Sequence, residues 1–149
     1  VSIRPENTFV PDGLREDVAA ACREYEERIE SLGGIDLQLL GIGHDGHIGF
    51  NEPEDVFRRY THEARLTDMT REANRRFFAS LEEVPLSAVT LGIGTVMGAE
   101  RILLMATGKD KHAIMEKAFK GPVTPWVPAS ILQFHHDVTV IVDEDCFRG

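Results

Sequence analysis

The stretch Ile35-Asp-Leu-Gln-Leu-Leu-Gly-Ile-Gly43 decides the fold of this chain of 149 residues. Its branched apolar residues form a run of strand length that ends at two glycines, a pattern that predicts a buried β-strand followed by a tight turn. Residues 14–32, just before it, carry apolar side chains at three- and four-residue spacings and end at Gly33-Gly34. This pattern predicts an amphipathic helix with a glycine stop.

The rest of the chain continues the alternation of strands and helices. Apolar runs at 89–93, 102–106 and 138–142 predict three further strands, and helical patterns lie at 69–78, 109–120 and 128–134. Strands that alternate with helices form βαβ units and a largely parallel sheet with helices on its faces. We therefore predict an α/β fold, a parallel-sheet three-layer (Rossmann-like) sandwich, in which residues 1–149 form a single α/β domain.

Composition and charge limit the classes of partner. The formal net charge of −9 argues against nucleic-acid binding, which needs a basic surface. A small anionic metabolite remains possible, because a few local cations can hold one phosphate. No apolar run approaches the ~20 residues that span a bilayer, and no secretion signal opens the chain. We expect a cytoplasmic protein with no membrane partner, in which the two cysteines are reduced.

The loop after the first strand, Gly41-Ile-Gly-His-Asp-Gly-His-Ile-Gly-Phe-Asn-Glu-Pro53, concentrates the polar groups and allows four interpretations. Its glycine spacing matches the dinucleotide-binding pattern, but that pattern requires a helix to begin at once, and Gly49 and Pro53 oppose one. The loop could be purely structural, a turn whose Asp bonds its own backbone. It also contains four residues of types that ligate zinc or iron, without the usual ligand spacings: His44, Asp45, His47 and Glu52.

The fourth interpretation is an acid–base unit made of Asp45, His47 and Glu52. A histidine exchanges protons near neutral pH, and carboxylates on either side can fix its tautomer and stabilise its charged form. Such a unit suits the opening of a sugar ring, which moves protons at the ring oxygen and the anomeric hydroxyl. This chemistry needs neither an electron carrier nor a nucleophile.

A resemblance to a known family favours the fourth interpretation. The string GIGHDGHIGFNEP resembles the signature of glucosamine-6-phosphate deaminases, and the stretches CREYEERIESLGGIDLQLLGIG, REANRRFF, VTLGIGT and LLMATGKDK fit the same family. The similarity covers almost the whole chain. The related 6-phosphogluconolactonases share the fold and a Gly-x-Gly-x-Asp-Gly-His core. They diverge after that His, and Phe50-Asn-Glu-Pro53 favours the deaminases.

The resemblance implies roles for individual residues. His47 would be the acid–base group for ring opening, with Asp45 and Glu52 orienting it and tuning its pKa. The backbone of Gly41 would approach the sugar. The substrate phosphate would be bound by two cations, Arg76 and Lys111, of which a guanidinium can fork onto two phosphate oxygens and an ammonium acts as a point charge.

The reaction implied by the resemblance is isomerisation and deamination of glucosamine 6-phosphate to fructose 6-phosphate and ammonia, with no cofactor and no metal. In the family, the isomerisation base lies in an upstream Asp-Glu-Tyr segment, and a serine- and glycine-rich phosphate loop also lies upstream. Neither occurs here. We therefore expect the sandwich to be incomplete without an upstream segment, and the chain alone to be inactive or severely impaired.

Two other functions remain open at this point. One is a 6-phosphogluconolactonase-like hydrolase, and the other is a non-catalytic remnant that binds sugar phosphates. In each case the partner is a small-molecule sugar phosphate, and a homo-oligomer is possible.

Overall fold

A computed structural model describes residues 2–149, which form two β-sheets and their helices. Along the chain, the helices and strands are α1 (Val18–Ser31), β1 (Leu37–Leu40), β2 (His62–Arg65), α2 (Asp68–Asn74), β3 (Ser87–Thr90), α3 (Ile93–Met97), β4 (Arg101–Ala106), α4 (His112–Lys120), β5 (Val138–Val142) and α5 (Glu144–Arg148). Short 3₁₀ helices lie at Pro5–Asn7, Arg75–Phe77, Lys109–Lys111 and Pro128–Phe134. None of the helices within residues 2–149 is long and apolar enough to cross a membrane.

The larger sheet is parallel, with strand order β1-β4-β5. Leu40 of β1 pairs with Leu104 of β4, and Leu104 pairs with Val140 of β5. Because the three strands run in the same direction, the loops that follow them meet at one edge of the sheet. This parallel sheet with packed helices confirms the predicted α/β class.

The smaller sheet corrects one sequence-based expectation. The run at 89–93 was expected to join the parallel sheet, but β3 instead pairs antiparallel with β2, and Ile93 begins α3. The partner strand β2 was not predicted, because its sequence His-Glu-Ala-Arg buries only Ala64. A strand with one buried side chain lacks the apolar signal that sequence patterns detect.

The predicted helices occur at the expected places, but the first is shorter and the other three are partly or wholly 3₁₀. The helix predicted at 14–32 begins after the cap residue Asp17, whose carboxylate accepts a hydrogen bond from the backbone N–H of Ala20. The helices predicted at 69–78 and 109–120 each contain a 3₁₀ turn, and Pro128–Phe134 is wholly 3₁₀.

The two faces of the parallel sheet differ in burial. Leu40, Ile102 and Leu104 point to one face and belong to a buried cluster to which α3, α4 and α5 also contribute. On the opposite face, Leu37 and Leu39 remain 53% and 60% exposed. The third layer of the predicted sandwich is therefore not supplied by residues 2–149.

Candidate active site

The site forms where the loops after β1 and β4 meet at the carboxyl edge of the parallel sheet. Residues 41–53 follow β1, and Thr107 to Lys111 follow β4. The two loops contact each other directly, since the Lys111 ammonium donates a hydrogen bond of 2.9 Å to the carbonyl of Ile42. Ile42 and Lys111 are almost 70 positions apart in the sequence. They are neighbours in the fold because β1 and β4 are adjacent strands.

The loop after β1 is a tight turn held by backbone hydrogen bonds. The N–H of Gly43 donates to the carbonyl of His47 (2.9 Å), and the N–H of Gly46 donates to the carbonyl of Gly43 (3.1 Å). Gly46 has a φ of 93°, in the region that favours glycine. A further bond from Ala129 to Gly46 (2.9 Å) ties the turn to the Pro128–Phe134 helix.

Three of the predicted residues come together beneath this turn. Nδ1 of His47 lies 2.8 Å from Oδ1 of Asp45 and 3.5 Å from Oε2 of Glu52. Among the described residues, Nδ1 has no hydrogen-bond partner of good geometry, so these are close ion-pair contacts. The side chains of Asp45, His47 and Glu52 are only 16%, 19% and 9% exposed, so the cluster is shielded from solvent.

The electrostatics of the cluster favour a charged imidazole. Burial lowers the pKa of His47, but the adjacent carboxylates of Asp45 and Glu52 outweigh burial and raise it to about 9. For Asp45, burial raises the pKa, but the contact with His47 prevails and lowers it below its ordinary value. At neutral pH the cluster is therefore an imidazolium held against a carboxylate.

The imidazole also rests on Gly43, a contact that the sequence did not reveal. A Cβ atom at position 43 would lie 2.2 Å from Nδ1 of His47, much closer than atoms can approach. Position 43 must therefore lack a side chain for the ring to reach the carboxylates. The glycine pattern showed that a turn was needed, but gave no sign of which ring would lie on it.

Glu52 links the cluster to the segment that carries Arg76. The backbone N–H of Thr67 lies 3.4 Å from Oε1 of Glu52, and the Thr67 hydroxyl caps α2 by accepting from the N–H of Thr70 at 3.2 Å. Helix α2 leads directly into the 3₁₀ turn Arg75–Phe77. The exposed guanidinium of Arg76 stacks on the Phe77 ring, 4.8 Å from its centre.

A cleft of about 770 Å³ brings the remaining predicted residues together. Gly41, His47, Arg76 and Lys111 all line it. Asp45 and Glu52 contact the imidazole at Nδ1, which leaves its other nitrogen, Nε2, free to serve a molecule in the cleft. Burial lowers the pKa of Lys111, against the opposing charge of Asp110. The cleft thus combines an acid–base group with two cations.

The geometry separates the interpretations that the sequence left open. The dinucleotide-binding interpretation is wrong, because the next helix, α2, begins only at Asp68. The ligand atoms of Asp45, His47 and Glu52 lie within 4.8 Å of one another, so the cluster has room for either a proton or a divalent cation. A cation bound at Nδ1 would displace its proton, which the raised pKa of His47 disfavours.

Comparisons with known proteins bear on the family. The model of a family described as glucosamine-6-phosphate isomerases/6-phosphogluconolactonase matches residues 1–141. A glucosamine-6-phosphate deaminase of Lachnoclostridium phytofermentans is 57% identical over 148 residues, which are 99% of this chain and 61% of that protein. A deaminase of the same name from Thermoanaerobacter sp. strain X514 is 50% identical, over 97% of this chain and 57% of the relative.

Solved structures agree with this similarity. A monomeric glucosamine-6-phosphate deaminase superposes with a TM-score of 0.92 at 45% identity, over 96% of this chain and 59% of that one. A 6-phosphogluconolactonase from Trypanosoma cruzi has a TM-score of 0.63 at 24% identity, over 87% of this chain and 51% of its own, which shows a shared fold alone. The chain spans about three fifths of the length of the curated relatives it matches.

Proposed function

Because the chain belongs to the family of glucosamine-6-phosphate isomerases and 6-phosphogluconolactonases, we propose that it acts in the deamination of glucosamine 6-phosphate to fructose 6-phosphate and ammonia. The observation that carries the proposal is the position of His47. It lies within 3.5 Å of two carboxylates and lines a cleft that also contains Arg76 and Lys111. The two cations match the phosphate at one end of a sugar phosphate, and the proton donor matches the ring oxygen at the other.

The cluster can open the sugar ring by transfer of protons alone. The ring C–O bond breaks as Nε2 of the His47 imidazolium gives its proton to the ring oxygen. The neutral imidazole then takes the proton of the anomeric hydroxyl, so the histidine returns to its starting state and an open-chain aldehyde is left. Asp45 and Glu52 stabilise the charged imidazole and hold its orientation.

Arg76 and Lys111 are proposed to hold the phosphate. The guanidinium can place two parallel N–H groups on phosphate oxygens, and the ammonium adds a compact charge. Such anchoring away from the reacting bonds fixes the sugar over Nε2 of His47. Gly41 lines the cleft, and an added Cβ there would meet Met105 O at 4.0 Å, so we propose that this open side lets its backbone approach the sugar.

The isomerisation step has no assigned base among these residues. Moving a proton between C2 and C1 requires a second base at the sugar carbons, and the Asp-Glu-Tyr segment expected from the family does not occur in the sequence. We therefore expect slow ammonia release from the 149-residue chain. Near-normal release would contradict that expectation.

Assembly and location follow from the same proposal. The solved deaminase with a TM-score of 0.92 is monomeric. For this chain a homo-oligomer stays a prediction, which sedimentation can test. A phosphorylated amino sugar is a substrate of the cell interior, so the proposal implies a cytoplasmic protein. The net charge of −9 supports a small-molecule partner over a nucleic acid.

Substrate binding tests the proposal without requiring full turnover. Calorimetric titration of the 149-residue chain should give saturable binding of glucosamine 6-phosphate, and much weaker binding of glucosamine, which lacks the phosphate. Arg76→Ala should reduce the first affinity and leave the second unchanged.

The competing hydrolase function is tested in parallel with 6-phosphogluconolactone. Acid release from this lactone at a rate that depends on His47, together with no binding of glucosamine 6-phosphate, would refute the proposal. Equal affinity for glucosamine with and without phosphate would refute the assigned phosphate contacts.

A further inference from the structure

The ammonium of Lys111 is held in place by two contacts on its inner side. Nζ donates to the carbonyl of Ile42 at 2.9 Å and lies 3.4 Å from Nδ1 of His44. An ammonium has three N–H donors, so these contacts leave one for a molecule in the cleft. The direction of that remaining donor depends on the groups that fix the other two.

The His44 ring is fixed in turn by Asp110. Nε2 of His44 lies 2.6 Å from Oδ2 of Asp110, and this contact lowers the pKa of the carboxyl below its ordinary value. Since an ammonium has no lone pair, Nδ1 of His44 must accept from Lys111. The ring proton therefore sits on Nε2 and is donated to the Asp110 carboxylate.

We infer that His44 holds the Asp110 carboxylate away from the Lys111 ammonium, so that Lys111 stays available for the phosphate of the bound sugar. The inference rests on the proposed function for the identity of the sugar, but it concerns only how the cleft holds a phosphate. His44 is a positioning residue, because it acts through Lys111.

Without His44, the carboxylate of Asp110 would weaken the binding of a phosphate. Asp110 directly precedes Lys111 and lines the same cleft. A free carboxylate there can pair with the ammonium and draw it away from the ligand, and its charge repels a phosphate. His44 prevents the pairing by donating its Nε2–H to the carboxylate oxygen, and this hydrogen bond also weakens the repulsion by drawing negative charge toward the ring.

This arrangement predicts that loss of His44 is harmful only while Asp110 is charged. His44→Ala should weaken the binding of inorganic phosphate about fivefold, the size expected for half-exposed charged groups. Asp110→Asn should bind phosphate as well as the wild type or better. In the double variant the loss should largely disappear, which an effect on folding would not produce.

The test compares dissociation constants for inorganic phosphate and for glucosamine 6-phosphate in four chains: wild type, the two single variants and the double variant. His44→Asn serves as a conservative variant, because its amide oxygen can still accept from Lys111. It should retain more affinity than His44→Ala. His136→Ala, at an exposed histidine that stacks on His135, is the matched control and should bind phosphate like the wild type.

Three outcomes overturn the inference: unchanged phosphate affinity in His44→Ala, an equal loss in the single and double variants, and no measurable phosphate binding by the wild type. Failure of the proposed function gives a different result. The phosphate affinities would then follow the expected pattern, while glucosamine 6-phosphate would bind no more tightly than inorganic phosphate.

Discussion

The floor of the cleft and its rim are built in different ways. The floor is the imidazole of His47, which lines the cleft, together with the carboxylates of Asp45 and Glu52 behind it. These three residues come from eight consecutive positions and are no more than 19% exposed. The rim consists of Arg76, Lys111 and the His44–Asp110 pair, whose members are 48% and 62% exposed and 66 residues apart. A buried charge cluster is coupled to folding, whereas exposed charges are screened and contribute little to stability.

Because the floor is buried and the rim is exposed, mutations in the two regions should have different effects. Changes at the floor should alter the stability of the chain and the pKa of His47. Changes at the rim should alter the affinity for phosphate and leave both of those quantities unchanged.

The largest expected effect comes from a methyl group beneath the imidazole. Gly43→Ala places a Cβ 2.2 Å from the His47 ring, so the ring or the turn must move. We expect the free energy of unfolding to fall by about 3 kcal/mol, the upper range for overpacking a buried site. Chemical denaturation measures the change.

The matched control is a second glycine of the same turn. At Gly41 an added Cβ would lie 4.0 Å from the nearest atom, the carbonyl oxygen of Met105. Gly41→Ala should therefore leave the free energy of unfolding within about 0.5 kcal/mol of wild type. Equal losses at the two positions would contradict the packing of His47 on Gly43.

The next effect is a dependence of stability on pH. The folded chain holds the His47 proton with a pKa of about 9, above the value of about 6.5 in an unfolded chain. The resulting stabilisation is complete below pH 6.5 and is lost as the pH rises through 9. We expect a loss of about 3 kcal/mol over this range, measured by denaturation at successive pH values.

His47→Gln removes the titrating group and should flatten this dependence between pH 6.5 and 9.5. A wild-type chain whose stability does not fall over that interval would contradict the ion pair at the floor.

The two carboxylates should differ in their influence on His47. Asp45 lies 2.8 Å from Nδ1 and Glu52 lies 3.5 Å from it. Asp45→Asn should lower the pKa of His47 by at least about one unit, and Glu52→Gln should lower it less. Titration of the imidazole signals by NMR measures both, and the reverse order would show that Glu52 is the main partner.

The smallest effect on the folded chain is expected at the rim. Arg76→Ala should weaken the binding of glucosamine 6-phosphate by about tenfold, since it removes a charge-assisted contact. Its guanidinium is exposed and stacks on Phe77, so the stability and the pKa of His47 should not change. A fall in stability comparable with that of Gly43→Ala would erase the distinction between floor and rim.

Sequence patterns located the parts of the molecule whose signals are local. The apolar run of β1 and the glycines after it predicted the strand and its turn, because both depend on neighbouring residues. The strand β2 escaped detection, since only Ala64 of its four residues is buried. The antiparallel pairing of β3 also depends on that polar partner strand.

The site residues also divide into those with a local sequence signal and those that depend on distant parts of the chain. Asp45, His47 and Glu52 were predicted as one acid–base unit because they share a single loop. The contact between His44 and Asp110 depends on β1 and β4 being adjacent in the sheet, which no spacing in the sequence reveals. Arg76 and Lys111 were predicted from the family resemblance alone, because an isolated cation on a helix carries no signal of its ligand.

The central claim is that the His47 imidazole moves protons for a bound amino-sugar phosphate. The most direct measurement is the rate at which the 149-residue chain exchanges the α and β anomers of glucosamine 6-phosphate, followed by NMR exchange spectroscopy, because every exchange requires ring opening. We expect acceleration by the wild-type chain that falls by about a hundredfold or more in His47→Gln, the scale of general acid–base catalysis. An exchange rate that is the same with both chains would contradict the account.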